Sequence, residues 1–308
     1  MWHNHGLPEE DSLFDASAHT SQSTNSTDNA AVQNHTNPTP QSITVAIIAY
    51  PRSSNLDEFA PLANAPNVRL LWVRDAAQVP QLHSLQPHDW IIVPGSKATL
   101  ADLQWLRTQQ LDAAISAHAA QGGRVLGICG GLQILGSTIS DPHGSESEAA
   151  SDPSMQPHMP SQGLALLPLH TTLGGDKTLC HTSSRFATSM QGAWAALAGV
   201  QVQGYEIHTG QTSANHMAFA SSDTSKNAAT LAVLHNAAAQ PIGWLSIGGN
   251  VLGLYLHGLF EDSNFTHALL GSDAPTLDET FNRMADFIGQ HFGANTLQTL
   301  LSSAAPSE

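Results

Sequence analysis

The chain has 308 residues, and 25 acidic side chains against 10 basic ones give a formal net charge of −15. That balance argues against phosphate-backbone binding, which needs clustered Lys and Arg, so no nucleic-acid partner is expected. No apolar run approaches the length of a bilayer span, and no membrane partner is expected either.

Hydrophobic residues make up 41% of the chain, enough for a sizeable core, while charged residues are only 11%. The two cysteines, Cys129 and Cys180, suggest no disulfide framework and fit a reducing cytoplasm. The sequence opens without the basic and apolar segments of a secretory signal.

Residues 1–42 are rich in Ser, Thr, Asn, His and Gln and lack apolar periodicity. They predict a disordered polar tail, because such a stretch buries too little surface to offset its ordering entropy. Its His3, His5, His19 and His35 are irregularly spaced and lack cysteine neighbours, so no metal site is assigned. From Ile43 the pattern changes. Ile43–Ile48 reads as a buried strand, Pro51–Asn55 as a loop, and Leu56–Leu62 as helix. Val68–Val73 and Asp89–Val93 read as further strands, the latter ending at Pro94-Gly95-Ser96-Lys97. Helices are expected over Thr99–Arg107 and Leu111–Gln121, followed by a strand over Arg124–Ile128.

Asp141–Gln162 is rich in Pro, Gly, Ser, His and Met and reads as a surface insertion. Strands are then expected at Gly163–Leu167, Gln201–His208, Thr230–His235, Pro241–Ile247 and Val251–Leu256. Ser213–Asn227 reads as a loop, and Asn264–Gly271 and Thr276–Phe292 as amphipathic helices. Strands alternating with helices predict an α/β fold, a mostly parallel central sheet flanked by helices. One folded domain is expected over residues 43–295, with a C-terminal tail at 296–308.

The chemistry concentrates at Gly127-Ile128-Cys129-Gly130-Gly131-Leu132-Gln133. A Cys between a short apolar strand and a glycine-rich helix start stands on a sharp turn, where flanking glycines permit unusual backbone angles. The first helical amides point back toward the sulfur and favour thiolate or a developing oxyanion. The competing reading is a buried small apolar residue, as most free cysteines are. A Cys nucleophile needs a base, and His257 ends the apolar run Val251–Leu256. In parallel α/β sheets chemistry gathers at the carboxyl ends of strands, where both residues fall. For oxyanion donors the candidates are the amides of Gly130 and of Ser96, the latter aimed by Gly95. An ordinary Pro-Gly turn at 94–96 is the bland alternative.

The Cys129 motif, with the distant Tyr255-Leu256-His257-Gly258-Leu259-Phe260, resembles the glutaminase domain of class I glutamine amidotransferases, in the cobyric acid synthase branch. Supporting segments are Pro51-Arg52-Ser53-Ser54-Asn55, Val93-Pro94-Gly95-Ser96-Lys97, Asp141-Pro142-His143-Gly144, Gly163–Leu167 and Gly204-Tyr205-Glu206-Ile207-His208-Thr209-Gly210. Thr171-Thr172-Leu173 and Lys177-Thr178-Leu179 fit as well. The likeness runs from about Ile43 to about Leu270. It implies that Cys129 attacks the side-chain amide of glutamine with His257 as base, in a Cys-His dyad, and that Gln133 helps hold the substrate. In such families the ammonia passes to a synthetase domain that amidates corrin carboxylates with ATP and Mg²⁺ on the way to cobalamin.

Where most class I amidotransferases carry a Glu two residues after the catalytic His, this chain has Leu259. Glu206 is open between orienting an imidazole and a binding or strand-end role, and His208 between lining the site and ending a strand. The family's ATP-dependent domain has no counterpart here, and no Gly-rich phosphate loop occurs, so this chain is expected to hold no cofactor. ATP and Mg²⁺ are expected in a partner synthetase domain or subunit. Two other readings stand beside this one. One is the amidotransferase subunit that amidates lipid II, and the other is a non-catalytic docking remnant. Cys180 is assigned no chemistry.

Overall fold

A computed structural model describes residues 42–146, 160–174, 177–214, 230–271 and 277–292. The first half alternates strand and helix: β1 (Ile43–Ile48), β2 (Ser53–Ser54), α1 (Ala60–Asn64), β3 (Val68–Val73) and α2 (Val79–His83). It continues through β4 (Trp90–Val93), β5 (Gly95–Ser96), α3 (Thr99–Thr108), α4 (Leu111–Ala120), β6 (Arg124–Ile128) and α5 (Gly130–Leu135). The second half is richer in strands: β7 (Thr138–Ser140), β8 (Ser161–Gln162), β9 (Leu169–Thr172), β10 (Thr178–Arg185), β11 (Gln201–His208) and β12 (Gln211–Ala214). Then come β13 (Thr230–His235), β14 (Pro241–Ser246), β15 (Val251–Leu254), β16 (Leu256–His257), α6 (Ser263–Leu270) and α7 (Leu277–His291).

The central sheet runs β13-β14-β15-β6-β4-β1-β3. From β15 to β3 every pairing is parallel, and β13 and β14 close one edge antiparallel. The expected α/β architecture with a mostly parallel sheet is what the chain forms. Its cause is visible in the strand sequences. Trp90–Val93, Val125, Leu126, Ile128, Leu252 and Leu254 are fully buried, as strands covered on both faces must be. Between the sheet and α5 the backbones nearly touch. A methyl group on Gly131 would lie 1.8 Å from the Val93 carbonyl oxygen, so only glycine fits there.

Three expected elements differ. Gly163–Leu167 is not a strand: Ala165 takes a left-handed φ of 54°. The amides of Leu164, Ala165, Leu166 and Leu167 bond instead to the carbonyls of Ile134, Gly136 and Leu135. The segment thereby satisfies carbonyls at the end of α5 that have no partner within the helix. The expected strand Val251–Leu256 breaks at Tyr255, whose amide donates to the Ile242 carbonyl at 2.8 Å. β15 stays in the central sheet, whereas β16 joins β10 and β11 in a second one. The expected loop Pro51–Asn55 contains β2, which pairs antiparallel with β5, Ser53 facing Ser96 and Ser54 facing Gly95.

Of the expected insertion, Asp141–Glu146 is described as a turn, with the Asp141 carboxylate accepting amides of Ser145 and Glu146. The rest of it up to residue 159, residues 1–41 of the expected N-terminal tail, the C-terminal tail, and 215–227 of the expected loop lie outside the described residues. Gly131→Ala is expected to cost about 3 kcal/mol or more, because the intruding methyl meets backbone that cannot rotate away. Urea denaturation of wild type and variant measures this; unchanged midpoints would contradict the close approach.

Candidate active site

Cys129 caps the N-terminus of α5 with φ 52° and ψ −110°, a region that side chains rarely occupy. Its amide donates to the Leu254 carbonyl at 2.8 Å, extending the β6–β15 ladder past the nucleophile position. Its thiol lies 3.1 Å from the Ile207 carbonyl, an acceptor for the S–H proton, and is near enough to the His257 imidazole to act on its pKa. The two strand tips therefore converge, and the expected Cys129–His257 pair is assembled from residues over a hundred positions apart in sequence.

A third group completes the cluster. The Glu58 carboxylate accepts from His257 Nδ1 at 3.1 Å with one oxygen and from the Gly258 amide at 3.0 Å with the other. Glu58 is 7% exposed and His257 only 3%. Burial pulls the imidazole pKa down. The interactions with Cys129 and Glu58 and the charges of both outweigh it and push it up to about 10. Glu58 sits in a one-turn 3-10 helix, Leu56–Phe59, entered through a left-handed Asn55. Phe59 packs on Phe260 with ring centroids 5.7 Å apart, seating the carboxylate under the residues that follow His257. Sequence reasoning missed Glu58. Its neighbours Leu56, Phe59 and Leu62 carry an apolar spacing that leaves it looking like a solvated acid.

The expected oxyanion donors lie close together. A methyl on Gly130 would come 2.8 Å from the Ser96 amide nitrogen. One on Gly95 would come 2.5 Å from Ser54 Oγ and 3.2 Å from His257 Cε1, so glycine lets the turn approach the imidazole. The Ser96 hydroxyl points away, donating to Asp102 at 2.6 Å. Burial raises the Asp102 pKa to about 6, against lowering by its bonds to Ser96 and to Arg52.

Gln133 is buried, one turn past Cys129. Its amide oxygen accepts from the Thr99 hydroxyl at 3.1 Å, and its nitrogen donates to the Thr209 carbonyl and the Tyr255 hydroxyl, each at 3.2 Å. Glu206 does hold an imidazole, but that of His208, 3.0 Å away. Its other neighbours are Asn236 Nδ2 at 3.3 Å and Cys180 Sγ at 3.7 Å. His208 in turn stacks on Tyr255 with centroids 3.9 Å apart. Cys180 is exposed and has no helix start beside it. Among the described residues no cluster of three or more His, Cys, Asp or Glu is placed to hold a metal ion, and no helix is long and apolar enough to cross a membrane.

The fold places a sharp-turn cysteine near a strand-end histidine on a mostly parallel α/β sheet, and sequence comparison gives the class. Residues 44–265 match the CobB/CobQ-like glutamine amidotransferase domain, and the chain belongs to that family of enzymes. It is 48% identical over 302 residues to the cobyric acid synthase of Polaromonas naphthalenivorans (strain CJ2), covering 98% of this chain and 54% of that protein. Against the cobyric acid synthase of Variovorax paradoxus (strain S110) the identity is again 48%, covering 98% of this chain and 53% of that one. The chain thus spans about half the length of the curated relatives it matches. A solved structure of PurLQS from Thermotoga maritima aligns at 15% identity with a TM-score of 0.47, covering 80% of this chain and 100% of that one.

Because the folded pKa of His257 lies above its ordinary value, the imidazolium stabilises the fold fully below pH 6.5. That contribution is lost as pH rises through about 10. An NMR titration of the His257 ring protons is expected to show it still protonated at about pH 8, far above an unperturbed histidine. A midpoint near 6.5 would contradict the paired geometry.

Proposed function

We propose that this chain hydrolyses glutamine and supplies the ammonia to an ATP-dependent partner that amidates corrin carboxylates. The observation that supports this reading is the proximity of Cys129 to a His257 imidazole backed by Glu58, in an amidotransferase-family domain. With His257 already holding the thiol proton as imidazolium, the Cys129 sulfur attacks the side-chain amide carbon, forming a C–S bond and a tetrahedral oxyanion. The amides of Gly130 and Ser96 receive that oxyanion. As the C–N bond breaks, the imidazolium returns its proton to the leaving ammonia, and a glutamyl thioester stays on Cys129. Water, deprotonated by His257, then attacks the thioester. Glutamate departs and the thiol is restored.

Gln133 contributes by holding the Thr209 carbonyl and Tyr255 at the site wall, beside the space for the glutamine substrate. Glu206 steadies His208 on the same wall. ATP and Mg²⁺ belong to the partner, a synthetase domain or subunit. The identity to cobyric acid synthases favours a corrin acceptor over lipid II.

The test measures ammonia release from glutamine by wild type and Cys129→Ala, each mixed with the remaining half of the Polaromonas naphthalenivorans cobyric acid synthase. Wild type is expected to exceed the variant by about 10³-fold or more, the scale of losing a nucleophile. Equal release from both would support the docking-remnant reading instead. A glutamine-mimicking electrophile is further expected to label Cys129 and spare Cys180, read by peptide mapping; the reverse pattern would move the chemistry to Cys180.

A further inference from the structure

We propose that Glu58 is the positioning residue for His257, converting the expected Cys-His dyad into a Cys129–His257–Glu58 relay whose acid comes from the chain's first α/β unit. This rests on the amidotransferase reading of the site but is separately testable. The carboxylate is buried and uses both oxygens, one on His257 Nδ1 and one on the Gly258 amide. Accepting the Nδ1 proton fixes the ring tautomer, so the other ring nitrogen is the one that exchanges a proton with Cys129 Sγ. The bond to the Gly258 amide fixes the ring's backbone at the same time. Position 259, just beyond, is a buried Leu and offers no competing acid.

Cys129 and the Gly95 turn also face the imidazole, and the buried Tyr50 lies close enough to feel the charges of Glu58 and Cys129. Of the other buried acids nearby, Glu206 is committed to His208 and Asn236, and Asp102 to the Ser96 hydroxyl and the Arg52 amide. The placement of Glu58 has a mechanical consequence as well. Its one-turn helix follows β2, whose pairing with β5 carries the Gly95–Ser96 turn. The Lys97 amide also bonds to the Arg52 carbonyl at 2.9 Å. One short stretch, residues 52–58, therefore holds both the acid behind the imidazole and the peptide aimed at the oxyanion.

The variants are Glu58→Gln, which keeps size and loses charge, and Glu58→Asp, which keeps charge and shortens reach. Thermal melting first establishes that each is folded. Removing the charge is expected to lower the NMR titration midpoint of His257 toward its ordinary value. It is also expected to shift the pH profile of Cys129 alkylation by a small neutral electrophile, while Cys180 alkylation stays as in wild type. With the partner half present, kcat for ammonia release is expected to fall about 10²-fold in Glu58→Gln with little change in KM. Glu58→Asp should recover part of that loss.

If Glu58→Gln does not fold, the Asp variant carries the test through the same titration and alkylation profiles. Unchanged titration and alkylation profiles in a folded variant would overturn the proposal. The ring titration and alkylation need no glutamine, so a shift there without glutaminase activity in wild type would retain the relay and reject the substrate.

Discussion

The hydrogen bond from the Cys129 amide to the Leu254 carbonyl is the constraint on which the site depends. Parallel pairing of β6 with β15 places Ile128 beside Leu254, and that bond carries the ladder one residue further. It holds Cys129 in a backbone conformation costing of order 1–3 kcal/mol, repaid by the surrounding packed sheet. Three residues beyond Leu254 comes His257, delivered back toward the sulfur because the chain turns at Tyr255 and changes sheets. Were β15 to continue straight, alternation would set the imidazole by strand geometry alone. The sheet change lets β16 pair with β11 instead, with His257 facing Tyr205.

Around this anchor the site is built from unlike parts under opposing demands. The imidazole and its carboxylate are buried, which disfavours charge, yet each is offered a partner in close contact. That combination keeps the cluster polarised inside an apolar surround, where Phe59, Phe260 and Leu259 exclude water. The neighbouring wall follows the same rule. Gln133, Tyr255, Thr212 and His208 form a connected set of hydrogen bonds and one ring stack, so the strand covering Cys129 is held at several points. Polar groups buried together in this way are satisfied by one another rather than by solvent.

How much of this was legible in the sequence differs by residue. The placement of Cys129 and His257 was legible because each follows a largely apolar run and is followed by glycine, a pattern that puts them near strand ends. That the central sheet is mostly parallel followed from apolar runs alternating with helical periods. Glu58 was not legible. Whether an acid faces solvent or a distant imidazole depends on the left-handed turn at Asn55 and the docking of Phe59, neither of which has a periodic signature. Gly163–Leu167 misled because an apolar run looks the same whether its amides pair with a strand or with the end of a helix. Val251–Leu256 misled because both sides of the break at Tyr255 are buried, leaving no change in polarity to mark the change of sheet.

The account stands or falls on a glutamyl thioester at Cys129. The direct measurement is peptide-resolved mass spectrometry of the chain, quenched in acid while it and the synthetase half are releasing ammonia from labelled glutamine. The label is expected on the peptide containing Cys129 and absent from that containing Cys180. Ammonia release with the label on another residue, or with no covalent adduct accumulating even when deacylation is slowed at low pH, would contradict it.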